Sequence, residues 1–196
     1  MRAAYLSPIF LGLLLSGCVV PTGPVEVTRY NRTAEGLVYG KGTYTLVLGA
    51  DSNDFNTLSA SPYLAAIGRE MQAVGYVDSK SPSDVIADIK VTTNTRTPPR
   101  QSPVSVGVGG STGSYGSGVG LGVGINLGGG PKAQVETTLS VKIRRRTDNL
   151  VIWEGSAVQS AGVKSPAAQP GIAASKLAAA LFQGFPGKSG ETIRVP

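Results

Sequence analysis

Histidine is absent from the 196 residues, and cysteine occurs once, at Cys18. Disulfides within the chain are therefore excluded, as are metal sites built on thiolate or imidazole ligands. Ser-His-Asp and Cys-His catalysis are excluded too, because both need an imidazole base. Charge is scarce at 15% of residues, and its basic members are scattered. Neither a basic helix nor a basic-aromatic motif occurs, so no nucleic-acid partner is expected. Without the first seventeen residues, which carry Arg2 and no acid, the net charge of +6 falls to about +5, a balance that usually serves solubility. Long apolar runs are missing as well. The longest, Ile9 to Leu15, is well short of the about 20 residues of a transmembrane helix.

That short run has a different meaning. Arg2 precedes it, and small residues follow, which is the pattern of a cleaved leader. Its end, Leu15-Ser16-Gly17-Cys18, matches the lipobox of bacterial lipoproteins. Residues 1–17 are thus expected to be a signal peptide cut between Gly17 and Cys18. Acyl chains on Cys18 would be the membrane anchor, since more than one chain gives lasting attachment. Val19 stands where an aspartate would resemble an inner-membrane retention signal, which favours the outer membrane and the periplasm. Residues 18–24, with Pro21, Gly23 and Pro24, suit a tether.

From Val25 onward the pattern is that of one domain, residues 25–196. Val25 to Tyr30 alternates apolar and polar residues, and Thr43 to Leu48 is β-branched and apolar, so both read as strands. Asp51-Ser52-Asn53-Asp54 reads as a turn; Phe55 and the missing glycine spoil a calcium loop. Ser61 and Pro62 open a helix that Gly75 closes, with Leu64, Ile67, Met71 and Val74 on one face. Val85 to Thr92 is a strand, and Arg96 to Pro103 a proline-rich loop. Residues 104–130 alternate branched residues with glycine at period two, the mark of a strand pair rather than a linker. Val135 to Arg145 and Leu150 to Val158 read as partner strands around Thr147-Asp148-Asn149. Arg144, Arg145 and Arg146 cannot share one surface, because Arg145 points opposite to its neighbours. Trp153 reads as sheet packing. A second helix runs from Pro170 to Gln183 with Ile172, Ala173, Leu177, Ala180 and Leu181 inward. The closing thirteen residues read as a polar surface segment.

The order of these elements resembles the bacterial lipoproteins that carry the domain of unknown function 4136. The residues that match are the lipobox, the VTRY strand, the helix ending at Gly75-Tyr76 and the VIADIKV strand. The glycine-rich pair, the LVIWEGSA strand and a terminal helix closing on Gly184-Phe185-Pro186 complete the match, over about residues 25–190. The chain departs in the length of its glycine-rich insert. The resemblance implies no catalytic or ligand residue to carry over. The fold expected is α+β: a twisted, mostly antiparallel sheet with two helices on one face, plus a glycine-rich β-hairpin. The function expected is a non-enzymatic lipoprotein, with membrane lipid as partner through Cys18 and an envelope protein or cell-wall component as a further one. No catalytic residue, metal or cofactor is expected. Two alternatives are an oligomeric pore or secretion component built on the glycine-rich pair, and a cell-wall hydrolase using Asp84, Asp88 or Glu154.

Overall fold

The structure is a computed structural model that describes residues 23–33, 37–49, 57–79, 82–97, 104–113, 116–125 and 132–196. The leader, Gly17, Cys18, most of the tether and the Asp51–Asp54 turn lie outside these residues.

Nine strands and two helices follow the chain as β1 (Val25–Asn31), β2 (Thr43–Leu48), α1 (Thr57–Ala73), β3 (Val77–Asp78) and β4 (Val85–Arg96). Next come β5 (Val104–Gly113), β6 (Gly116–Ile125), β7 (Gln134–Arg145), β8 (Val151–Gly162), α2 (Pro170–Phe182) and β9 (Glu191–Val195). Seven of the strands form one sheet in the order β3-β2-β4-β7-β8-β1-β9, while β5 and β6 pair only with each other. The centre of the large sheet is antiparallel; β2 alone runs parallel to two neighbours, β3 and β4. The domain is thus α+β, with both helices on one face.

Alternation along the strands decides which face is buried. Val25 and Val27 of β1, Ala87, Ile89 and Val91 of β4, Leu139, Val141 and Ile143 of β7, and Trp153 and Ala157 of β8 are fully covered. Ala60, Tyr63, Ile67 and Met71 of α1 and Ala174, Leu177, Ala178 and Leu181 of α2 cover them. Alanine on α2 lets the helix axis come close to the sheet. Gly75 ends α1 at φ +107°, with Gly75 N–H donating to Gln72 O and Tyr76 N–H to Met71 O, both at 3.0 Å. This paired closure is a Schellman cap, which needs a residue at positive φ.

Two expectations need correction. Helix α1 begins at Thr57, not at Ser61, and Pro62 lies inside it. Pro62 cannot donate a backbone hydrogen bond there, but Ala60, Tyr63, Ile67 and Met71 on both sides of it are buried, so tertiary packing carries the helix through the proline. Ile172 is 43% exposed; α2 turns Ala174 inward instead, beside the expected Ala173, because smaller side chains allow the close approach. The polar closing segment contains an edge strand, Glu191–Val195, which pairs with β1 in the register Val27↔Ile193.

Candidate functional site

The helices leave the other sheet face uncovered among the described residues, and its composition is set by the polar phase of each strand. Two rows run across the strands. In one, Tyr30, Glu154, Lys142, Asp88 and Val47 are register partners on β1, β8, β7, β4 and β2. In the next, Thr192, Thr28, Ser156, Ser140 and Lys90 are neighbours. The hydroxyls pair across strands: Thr28 with Thr192 at 2.8 Å and Ser140 with Ser156 at 3.2 Å. Short side chains in this row keep the floor low beside the longer charged row.

Asp88 accepts from Arg144 Nε at 2.6 Å, and Lys142 Nζ lies 3.4 Å from Glu154 Oε1. Hydrogen bonding to Asp88 raises the Arg144 pKa from its usual value, against a smaller opposing effect of desolvation. Asp88, Lys90, Ser140, Lys142 and Glu154, with backbone of Gly49 and Ile89, line a cleft of about 350 Å³. A second cleft of about 250 Å³ adjoins it at Glu154 and is lined by Tyr30, Asn31, Arg32 and Val151 to Trp153. The first is near the lower end of ligand-pocket sizes. Its lining offers ammonium and hydroxyl donors beside carboxylate acceptors, which suits a polar group carrying both signs of charge. Among the described residues no cluster of three His, Cys, Asp or Glu side chains could hold a metal.

Two of the three carboxylates considered from sequence therefore come together, Asp88 and Glu154. Asp84 does not. It directly precedes β4 and accepts from Thr43, the first residue of β2, at 2.7 Å from the backbone N and 2.8 Å from Oγ1. These hydrogen bonds hold its carboxyl below the ordinary value of 3.8. The arginine triplet also divides. Arg144 pairs with Asp88 and Asn149, Arg145 lies 3.4 Å from Asp148, and Arg146 Nε donates to Ser83 O at 2.7 Å. All three pin the β7–β8 turn rather than form a polyanion patch.

Sequence reasoning missed the lock at the end of the sheet. Arg29, only 3% exposed, donates from Nη1 to Gln183 O at 2.5 Å, so a cation meets the carbonyl end of α2. Asn31 Nδ2 donates to Gly187 O at 2.9 Å and Trp153 Nε1 to Pro186 O at 3.0 Å. Trp153 also packs with Phe182 and Phe185 at centroid distances of 5.4 and 5.2 Å. The VTRY strand and the Gly184-Phe185-Pro186 corner, distant in sequence, thus meet in space. The signal for Arg29 was present: it occupies the apolar phase shared by Val25 and Val27.

The sequence between those two corners, residues 26–187, matches the family described as domain of unknown function 4136. The chain belongs to this DUF4136 family. The chain is also similar to an uncharacterized protein of Zymomonas mobilis, 30% identical over 95% of this chain and 86% of the other. Among solved structures, a PDZ domain protein from Parabacteroides distasonis aligns with 88% of this DUF4136 chain at 12% identity and a TM-score of 0.48. The chain spans 39% of that protein. A PelC dodecamer from Paraburkholderia phytofirmans aligns over 83% of this chain and 99% of its own at 10% identity, with a TM-score of 0.41.

Proposed function

We propose that this DUF4136 protein is a bacterial envelope lipoprotein and a non-enzymatic binding module. Residues 1–17 are removed, Cys18 is acylated, and the domain faces the periplasm from the outer membrane. One observation carries this: the chain's single cysteine ends the Leu15-Ser16-Gly17-Cys18 run that follows a short apolar leader. Three acyl chains make such an anchor effectively permanent. The absence of histidine from the sequence supports a binding role over acyl-transfer chemistry. The open polar face, with its paired charges and hydroxyl row, is the surface for an envelope protein or cell-wall component.

The anchor is tested by growing cells on radiolabelled palmitate. Label is expected in the parent and absent from Cys18→Ala; label in both, or in neither, rejects the anchor. The binding face is tested with photo-crosslinking residues in living cells. Adducts are expected at Ser156, on the open face, and not at Ala179, exposed on α2. The same yield at both positions rejects the face.

A further inference from the structure

The β5–β6 hairpin is inserted at a particular end of the sheet. Its roots, Arg96 and Gln134, are register partners on β4 and β7. Gln134 in turn faces Gly162 on β8, and Val163 N–H donates to Ala133 O at 3.1 Å. The first described residue, Gly23, belongs to this same end: it precedes Val25 on β1, and Lys176 Nζ donates to its carbonyl at 3.0 Å. The point where the tether enters the domain and the points where the hairpin leaves it are therefore neighbours. Cys18 is seven residues from Val25, a reach of at most about 24 Å for extended chain.

The hairpin itself sorts by register. Val104↔Ile125, Val106↔Val123 and Val108↔Leu121 are partners, as are Ser105↔Gly124, Gly107↔Gly122 and Gly109↔Gly120. Residues of one strand phase are branched and apolar, those of the other glycine or serine. No charged residue occurs from Gln101 to Pro131, while Arg96, Arg100, Lys132 and Lys164 flank the segment and its root; Glu136 is the nearest acid. A hairpin of two strands is marginal alone in water, and among the described residues this one joins no other strand.

Magnitude decides how it would meet a membrane. The apolar phase extends over seven residue rows, Val104 to Gly110, which is about 23 Å of strand and less when tilted. A spanning strand needs about 9–11 apolar-faced residues, and open strand edges do not occur in hydrocarbon. The hairpin is too short and too open to cross.

We propose that the β5–β6 hairpin is a second membrane contact that lies along the bilayer surface beside the Cys18 anchor. The Val/Leu/Ile phase meets the outer part of the acyl chains, as in other interfacial segments. The strand edges stay with water and headgroups, and the basic roots meet anionic phosphates within a Debye length. This rests on Cys18 being the lipid site, so the palmitate label is scored on the same preparations and reports that premise separately.

The test uses the full acylated protein in vesicles of phosphatidylethanolamine and phosphatidylglycerol. An environment-sensitive fluorophore is attached at Leu121→Cys, Gly122→Cys, Val106→Cys or Gly107→Cys, one at a time. Blue-shifted emission at 121 and 106, quenched by nitroxide near the lipid headgroup, is expected. Water-like emission, quenched by iodide, is expected at 122 and 107. Replacing phosphatidylglycerol by phosphatidylcholine is expected to reduce the contrast. Iodide quenching of both phases alike overturns the proposal. So does protection of position 121 from both quenchers, which means the hairpin stacks on a second copy. Strongest quenching by nitroxide at the bilayer centre also overturns it, in favour of a closed barrel.

Discussion

Asp84 and Arg29 show what a single side chain could and could not disclose before folding. Asp84 precedes a strand, and the sequence offers it only as a candidate catalytic carboxylate; its partner, Thr43, lies 41 residues away and no local pattern names it. The consequence is pH dependence. The folded chain binds this proton more weakly than the unfolded chain, so the contact stabilises the fold above the ordinary value of 3.8 and is lost as pH falls through the lower folded value. Asp84→Ala is expected to melt below the parent at pH 7, with the gap closing below pH 3.8. Parallel melting curves across both ranges would show that Thr43 does not hold the carboxylate. Arg29 carries a signal, a cation in the apolar phase of β1, but its target has none, because Gln183 O exists as an acceptor only once α2 ends there.

Elements were read best where one strand or helix phase is wholly apolar. The alternation in β7 and β8 fixes both strands and their inner faces, and Gly75 fixes the end of α1. Edges were read poorly, since β3 and β9 are short, polar and defined by pairing rather than by pattern. Glycine was harder still, because its meaning depends on neighbours from another element. Gly155 sits in the inner phase of β8, where an added Cβ would lie 2.5 Å from Trp153 Cη2 and 2.8 Å from Leu181 Cδ1. The indole cannot retreat easily, held as it is by Pro186 O and two phenyl rings. Gly171, in the first turn of α2, has nothing within 4 Å of the same position. Gly155→Ala is expected to lower unfolding free energy by about 1–3 kcal/mol through overpacking. Gly171→Ala is expected to raise it by about 0.5 kcal/mol through loss of backbone freedom in the unfolded chain. Urea denaturation of the two variants measures both; equal and small effects would mean that α2 does not press on β8 as described.

At the scale of the whole molecule, the α+β class and helices on one face followed from the sequence, whereas the order of strands did not. Placing β1 between β8 and β9 brings the VTRY strand to the Phe185-Pro186 corner, and only long-range pairing decides that. The open polar face was legible strand by strand, but its cleft depends on β4, β7 and β8 being adjacent. The glycine-rich hairpin stands apart from this order, and that separation can be measured. Because β5 and β6 add no rung to the seven-stranded ladder, excising residues 97–133 removes no partner from β4 or β7. Arg96 and Gln134 already face each other, so an Asn-Gly pair can join them as a tight turn. Each halving of a flexible loop lowers its closure cost by about 0.6 kcal/mol, so the shortened chain is expected to melt at or above the parent temperature, with unchanged far-ultraviolet sheet signal from the main domain. A collapse of cooperative unfolding would instead make the hairpin part of the core.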